Sequence, residues 1–298
     1  MSFFKQAAGL LRAPFLILAP VCAAVGAATA WHQTHEWRTV PVLIVILGAT
    51  AAHACVNVFN EYFDFRSGLD ARTRRTPFSG GSGTLQADPE KAPAALALGI
   101  LCFLITAAIG LYFIKIQGWL ILPIGLFGLF IAVTYTVWWV KHPVLCLAAP
   151  GLGFGVLMVT GSHFALTGTV TAAALAASLV PTFLVSDLLL LNQFPDVEAD
   201  RTAGRRHFPV RIGREKSAVI YGVFLLLPYL IVPAAVLLRV FPAAALLMLL
   251  TVPLSAKAYR LARRNAEHPE ALIPALGLNV IIVLLTPALL ALGLFIAG

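Results

Sequence analysis

Long, almost uncharged apolar runs alternate along this chain with short segments that hold nearly all of its charge. The runs lie near residues 13–31, 40–59, 92–113, 119–139, 144–162, 169–191, 217–238, 240–256 and 271–297. A helix needs about 20 apolar residues to cross the hydrocarbon core of a bilayer, and each run approaches or exceeds that length. None shows the alternation over about ten residues that a transmembrane β-strand requires. Soluble helices would need a polar outer face, which most of these runs lack. Prolines recur inside them, among them Pro20, Pro123, Pro150, Pro181, Pro228, Pro233 and Pro287. Membrane helices tolerate such breaks because neighbouring groups re-satisfy the freed backbone. The pattern predicts an all-α, polytopic integral membrane protein: about nine transmembrane helices in one bundle, with residues 1–298 as a single transmembrane domain.

Composition agrees. The chain is 60% hydrophobic and 11% charged, whereas about a quarter of the residues in a soluble domain are charged. With a cytoplasmic N-terminus, the segments on that side hold 18 of the 21 Lys and Arg residues; the opposite side holds only Arg38, Lys115 and Arg239. This asymmetry places the N-terminus inside; a cytoplasmic membrane of the prokaryotic kind is the expected location. The net charge of +8 thus belongs to one membrane face and gives no reason to invoke nucleic acid. The run after Lys5 and Arg12 ends in Ala28-Thr29-Ala30, which has the form of a signal-peptide cleavage site. It is longer than a signal h-region and contains Pro14 and Pro20, so it reads as a retained first helix. Cys22, Cys55, Cys102 and Cys146 lie singly in apolar runs without a Cys-x-x-Cys spacing, as small buried hydrophobes do.

The acids are even less evenly spread. Ten of the thirteen fall between Glu61 and Glu90 or between Asp187 and Glu215, which are the ends of the second and sixth runs with the loops that follow. Both loops lie on one side by the charge rule, so the two groups can face each other. The first reads Asn60-Glu-Tyr-Phe-Asp64 with Asp70 beyond; the second reads Asn192-Gln-Phe-Pro-Asp196 with Asp200 beyond. Residues four apart share a helix face, so each Asn is expected to point with its first Asp. Recurrence on helices two and six suggests two four-helix halves plus a ninth helix, with a site between the halves.

One Asp-x-x-x-Asp motif would read as solvated loop charge. Two, each preceded by Asn, each at a helix end and both on one face, read as a receptacle for Mg²⁺ and diphosphate. Facing carboxylates repel unless cations lie between them, and Mg²⁺ takes hard oxygen ligands, usually one or two carboxylates with phosphate oxygens. The candidate metal ligands are Asn60, Asp64, Asp70, Asn192, Asp196 and Asp200. Arg72, Lys141, Arg201 and Arg205 are the candidate diphosphate-binding residues, with Arg74, Arg75 and Arg206 close by in the sequence. Arginine suits phosphate oxygens, though cytoplasmic anchoring accounts equally for Arg74 and Arg75.

At these residues the sequence resembles the UbiA-type membrane prenyltransferases, which carry one Asp-rich motif after the second helix and another after the sixth of nine. Asn192-x-x-x-Asp196-x-x-x-Asp200-Arg201, Ala203-Gly204-Arg205-Arg206, Val210-Arg211-Ile212-Gly213, Arg12-Ala-Pro14 and Tyr135-Thr136 are similar to the menaquinone branch, in which 1,4-dihydroxy-2-naphthoate is prenylated. The six-residue spacing of Asp64 and Asp70 is similar to that branch too. The sequence departs from the pattern at Glu61, where many relatives have Asp, in the loop Phe78-Ser-Gly-Gly-Ser-Gly-Thr84, and at Asp187 inside the sixth run.

The resemblance implies Mg²⁺-dependent transfer of a prenyl group from a polyprenyl diphosphate, held partly by membrane lipid, to an aromatic or quinol-precursor acceptor. It makes Asp64, Asp196 and Tyr135 candidate catalytic residues, and Asp187 joins them as an ionisable group within a span. Tyr62, Phe63, Phe65, Tyr135, Trp138 and Trp139 are expected to line a dry cavity for the allylic cation. His53, on the face of Asn60, is either an acceptor contact or a structural histidine. Asp187 is expected to face the acceptor, since an ionisable group within a span is functional by default. Alternatives are another acceptor (a lipid alcohol or a haem- or chlorophyll-type ring), a terpene cyclase on the same scaffold, and a transporter of an anionic lipid or metal ion. A transporter would place its acids near the midplane, not at one face.

Overall fold

Proline and glycine mark most of the helix ends. Pro143 and Pro269 open helices at positions whose N–H needs no partner. Gly68, Gly118 and Gly168 close helices at φ of 72°, 84° and 74°, a region costly for any residue with a Cβ. The structure, a computed structural model, describes residues 3–69, 78 and 80–298. Its membrane helices are α1 (Ala13–Thr34), α2 (Thr39–Ser67), α3 (Pro89–Gln117), α4 (Trp119–Thr134), α5 (Pro143–Thr167), α6 (Ala172–Asn192), α7 (Arg214–Leu237), α8 (Ala243–Arg264) and α9 (Pro269–Ile296). Eight are long and apolar enough to cross a membrane, and α4 is a shorter apolar helix. No strand occurs among the described residues. Each apolar run of the sequence has become a helix of an all-α membrane bundle.

Three boundaries differ from expectation. Helix α2 continues past residue 59 to Ser67, carrying the first acidic motif as helix. Helix α4 stops at Thr134 because the chain folds back, with Trp139 Nε1 donating to Thr134 Oγ1 at 2.8 Å. Helix α8 runs to Arg264, beyond the apolar stretch, and exposes Lys257, Arg260, Arg263 and Arg264 on its polar face.

Burial separates inner from outer helices. The apolar windows of α1, α2, α6 and α9 are 50–67% buried, whereas α3 is 17% and α7 and α8 are 28% buried. Leu101, Leu104 and Leu111 of α3, Leu126 of α4 and Leu226 and Leu230 of α7 face outward, as lipid-facing positions should. Helix α2 packs along α3 and α6 along α7, while α9 packs on α8 and α1. The two motif-bearing helices therefore hold corresponding inner places.

The tightest seam lies between α5 and α6. A Cβ on Gly151 would stand 2.2 Å from the Thr182 carbonyl oxygen, and one on Gly155 would stand 1.9 Å from Thr182 Oγ1. This Gly-x-x-x-Gly pair lets two backbones meet, the usual device of membrane helices that gain little from hydrophobicity. Just before these glycines Pro150 lacks an N–H, and after it α5 widens into a π-helical turn over Leu152–Leu157.

Candidate functional site

The first motif is a continuous helix. Asn57, Asn60, Glu61 and Asp64 lie on the last three turns of α2 before Gly68 ends it. The second motif is not. Helix α6 stops at Asn192, the chain turns through residues 193–196, and a short helix begins at Val197 and ends at Thr202. Pro195 accounts for the break: it disfavours helix at Phe194 and would clash with the Leu191 carbonyl. The expected four-residue pairing on one helix face therefore holds for Asn60 and Asp64 but not for Asn192 and Asp196.

The break brings the two acidic windows together. Gly204, at φ 76°, turns the chain after the short helix so that Arg205 reaches inward. Its guanidinium lies 2.5 Å from Asp64 Oδ1 and 3.3 Å from Asp200 Oδ1, and its N–H donates to the Asp200 carbonyl at 3.0 Å. Burial would pull the Arg205 guanidinium down, but Asp64 and Asp200 more than offset it and hold it above its ordinary value. Asp200 meets His207 Nε2 at 2.7 Å on its other oxygen. Asp64, Arg205, Asp200 and His207 thus form one chain of contacts across the junction of α2 and the α6–α7 connection.

Beneath this cluster lies a cavity of about 490 Å³. Arg12, Asn60, Tyr135 and Asn192 reach it near the carboxylates, and most of the remaining wall is apolar. Asn60 Oδ1 accepts a hydrogen bond from Thr136 Oγ1. Asn192 Oδ1 is buried without a protein partner. Tyr135 OH lies 3.8 Å from Cys146 Sγ, which Gln193 Nε2 also reaches at 3.2 Å. Burial, reinforced by Cys146, pushes the Tyr135 phenol well above its ordinary value, so it keeps its proton at neutral pH.

The oxygen donors at this end suit a hard divalent cation: two amides on the cavity wall, one with an orphaned buried oxygen, and carboxylates immediately behind them. Among the described residues no three His, Cys, Asp or Glu side chains form a ready cage, and the carboxylates of Asp64 and Asp200 are held on Arg205. Asp196 caps the short helix, its carbonyl accepting from the Asp200 N–H at 2.9 Å. Asp70 and Arg72, with Arg74 and Arg75, lie outside the described residues. Lys141 is exposed on the turn after α4, and Arg201 is exposed and pairs with Glu198 at 2.9 Å. Neither is drawn into the cluster.

Asp187 is placed differently from expectation. Val185, Leu188, Leu189 and Asn192 form the α6 face on the cavity, and at 100° per residue Asp187 lies about 150° from the middle of that face. It is fully buried on the side of α6 away from the cavity, with neither carboxyl oxygen hydrogen-bonded to protein. The aromatic wall is also different. Tyr62, Phe63, Phe65, Trp138 and Trp139 do not line the cavity; Phe15, Phe78, Phe113, Tyr135 and Phe154 do. Trp139 is instead buried in an aromatic cluster with Phe127 and Phe130.

Sequence reasoning missed one group. Glu61 is fully buried and accepts from Arg12 Nε at 2.7 Å, Ser82 N at 2.9 Å and Ser82 Oγ at 2.7 Å. It ties the start of α1 to the glycine-rich loop, whose Gly80, Gly81 and Gly83 all have positive φ. The signal was present in the substitution of a longer acid beside Asn60, but its partners are 49 and 21 residues away.

A model of the UbiA prenyltransferase family matches residues 18–284. The chain is 30% identical to the 1,4-dihydroxy-2-naphthoate octaprenyltransferase of Escherichia coli, over 96% of this chain and 94% of that protein. It is 24% identical to the 2-carboxy-1,4-naphthoquinone phytyltransferase of Synechocystis, over 87% of this chain and 83% of the relative. A UbiA homolog from Aeropyrum pernix superposes with a TM-score of 0.73 at 18% identity, covering 94% of this chain and 97% of the other. One from Archaeoglobus fulgidus bound to DMAPP and Mg²⁺ gives 0.63 at 15%, covering 98% and 100%. Relatives of several subfamilies match at low identity, and no single branch stands apart. The chain belongs to the UbiA prenyltransferase family and is a membrane-embedded transferase.

Proposed function

We propose that the protein transfers a polyprenyl group from its diphosphate to an aromatic quinone precursor of the naphthoate type, in a Mg²⁺-dependent reaction. The observation that carries this reading is the meeting of Asp64 and Asp200 across Arg205 at one end of a largely apolar cavity. A diphosphate belongs at the charged end and an isoprenoid tail in the rest. The naphthoate enzymes among the relatives support the acceptor class, and the Mg²⁺-bound homolog supports the ion.

Asn60, Asp64, Asn192, Asp196 and Asp200 would hold Mg²⁺, with Asp70 continuing the first motif. When bound, the ion neutralises diphosphate charge and so lowers the cost of ionising the donor. Arg205 exchanges its carboxylates for phosphate oxygens, keeping its charge where negative charge develops. The allylic C–O bond breaks and its electron pair leaves with diphosphate. A ring carbon of the acceptor forms the new C–C bond, and the hydrogen on that carbon departs as a proton, taken up by the released diphosphate. The apolar wall excludes water that would otherwise capture the cation. Tyr135, protonated between the cavity and the cluster, donates a hydrogen bond toward the leaving group. The tail runs along the apolar wall that α3 and α4 give the cavity. Gly110 and Gly125, where an added Cβ would meet nothing within 4 Å, leave room for a longer chain to pass toward lipid.

The test is incubation of purified protein with labelled polyprenyl diphosphates and a panel of quinol precursors and lipid alcohols, with and without Mg²⁺. Prenylated naphthoate formed only with Mg²⁺ is the expected product. Cyclic or hydrolysed isoprenoid without transfer would overturn the reading in favour of a cyclase.

Orientation is part of the proposal, resting on the 18 of 21 basic residues assigned to one face. Single cysteines at positions 72 and 205 should label from the cytoplasm and one at position 38 from the opposite side. Labelling of 72 and 205 from opposite sides would break the shared site.

A further inference from the structure

His53 is a polar group set in the apolar part of the cavity wall. It lies on α2 seven residues before Asn60, about 700° of rotation and hence the same face, and about 10.5 Å farther from the carboxylates. Its neighbours along the wall are Ala49, Ala52 and Val56 of α2 and Phe154 of α5. The side chain is 6% exposed. Phe154 meets the imidazole edge to face, with ring centroids 4.6 Å apart and planes at 84°, which fixes the ring's tilt. Phe154 is itself set by the π-helical turn of α5 between Gly153 and Gly155. Nδ1 is buried with no protein partner. Buried polar atoms are ordinarily paired, and one without a protein partner in a ligand cavity marks a place for a ligand's polar group.

We propose that His53 Nδ1 binds a ring hydroxyl of the aromatic acceptor and thereby selects acceptors that carry one. The inference rests on the prenyl-transfer reading above and adds the residue and the functional group that recognise the acceptor. With the ring proton on Nε2, Nδ1 presents its lone pair and accepts the hydroxyl hydrogen bond. The hydroxyl oxygen becomes more electron-rich, which favours attack by the carbon beside it. His53 forms no covalent bond and removes no proton. The acceptor ring spans the distance from His53 and Phe154 to the allylic carbon, which stays bonded to the diphosphate at the Asn60 end until the C–O bond breaks.

The experiment compares wild type, His53→Leu and His53→Gln as full-length protein in lipid vesicles with Mg²⁺. Each is assayed with 1,4-dihydroxy-2-naphthoate and with its O-methyl ethers, and donor and acceptor KM are measured separately. His53→Leu should raise acceptor KM about tenfold, the scale of one lost hydrogen bond, and leave donor KM unchanged. It should also abolish the preference for hydroxyl over ether, and His53→Gln, which retains an acceptor oxygen, should restore part of it. An undiminished hydroxyl preference in His53→Leu would overturn the inference, as would a parallel rise in donor KM. Wild type that ionises the donor but transfers it to no hydroxylated aromatic would remove the underlying reading as well. Wild type that transfers, with both variants matching it, removes the His53 assignment alone. Retention of hydroxyl selectivity by a monodisperse His53→Gln guards against a loss that reflects only misfolding.

Discussion

Asp64→Ala is expected to reduce prenyl transfer by about 10²-fold or more, the scale seen when a preorganised electrostatic contact to a developing charge is removed. The substitution removes a proposed metal ligand and the closest partner of Arg205, 2.5 Å away. Arg205 then rests on Asp200 alone, so the two acidic windows lose their direct link. Asp64→Asn keeps the shape but not the charge and should be nearly as inactive. Asp196→Ala should behave likewise if both motifs hold the cation. The measurement is turnover at saturating donor across a Mg²⁺ series, with detergent-extracted protein checked for monodispersity. Near-wild-type turnover at limiting Mg²⁺ in either alanine variant would rule out a two-sided site.

The second large effect concerns folding. Gly155→Val should yield little or no monodisperse protein. Its Cβ would stand 1.9 Å from Thr182 Oγ1, 2.5 Å from Thr182 N and 2.6 Å from the Ser178 carbonyl oxygen. Two of those three atoms are backbone, so relief requires α5 and α6 to separate rather than a rotamer to change. Overpacking in cores costs about 1–3 kcal/mol where neighbours can yield, and here they cannot. Gly153, two residues earlier in the same π-helical turn, is the internal control: a Cβ there meets nothing within 4 Å. Gly153→Ala should extract normally. Equal recovery of the two variants in size-exclusion chromatography would show that the seam is not closed.

The contrast between those glycines marks the limit of what the chain discloses unaided. Apolar runs fix where helices form because length and hydrophobicity act locally, and the first motif is legible for the same reason: Asn60 and Asp64 lie one turn apart on an unbroken helix. Pro195 forbids the helix that the four-residue spacing of Asn192 and Asp196 presumes. The facing of Asp187 depends on more than periodicity. A helix periodicity identifies opposite faces, but only packing decides which face meets the cavity, and α6 presents Leu188 and Leu189 there. The partners of Glu61 and the selection of Phe154 over Trp139 for the wall were beyond reach. Both depend on contacts between segments far apart in sequence, and on a π-helical turn with no period of its own.

The salt link of Arg205 to Asp64 and Asp200 has a bearing on how such a protein is made. Two carboxylates brought together at the rim of a bundle would strain its assembly until a counter-ion arrived. Here the counter-ion is encoded in the chain, so insertion and packing can be completed during synthesis whatever the metal supply of the cell. Synthesis and activation become separate events: a stock of finished protein can persist through magnesium scarcity and turn over as soon as the ion and its isoprenoid partner return.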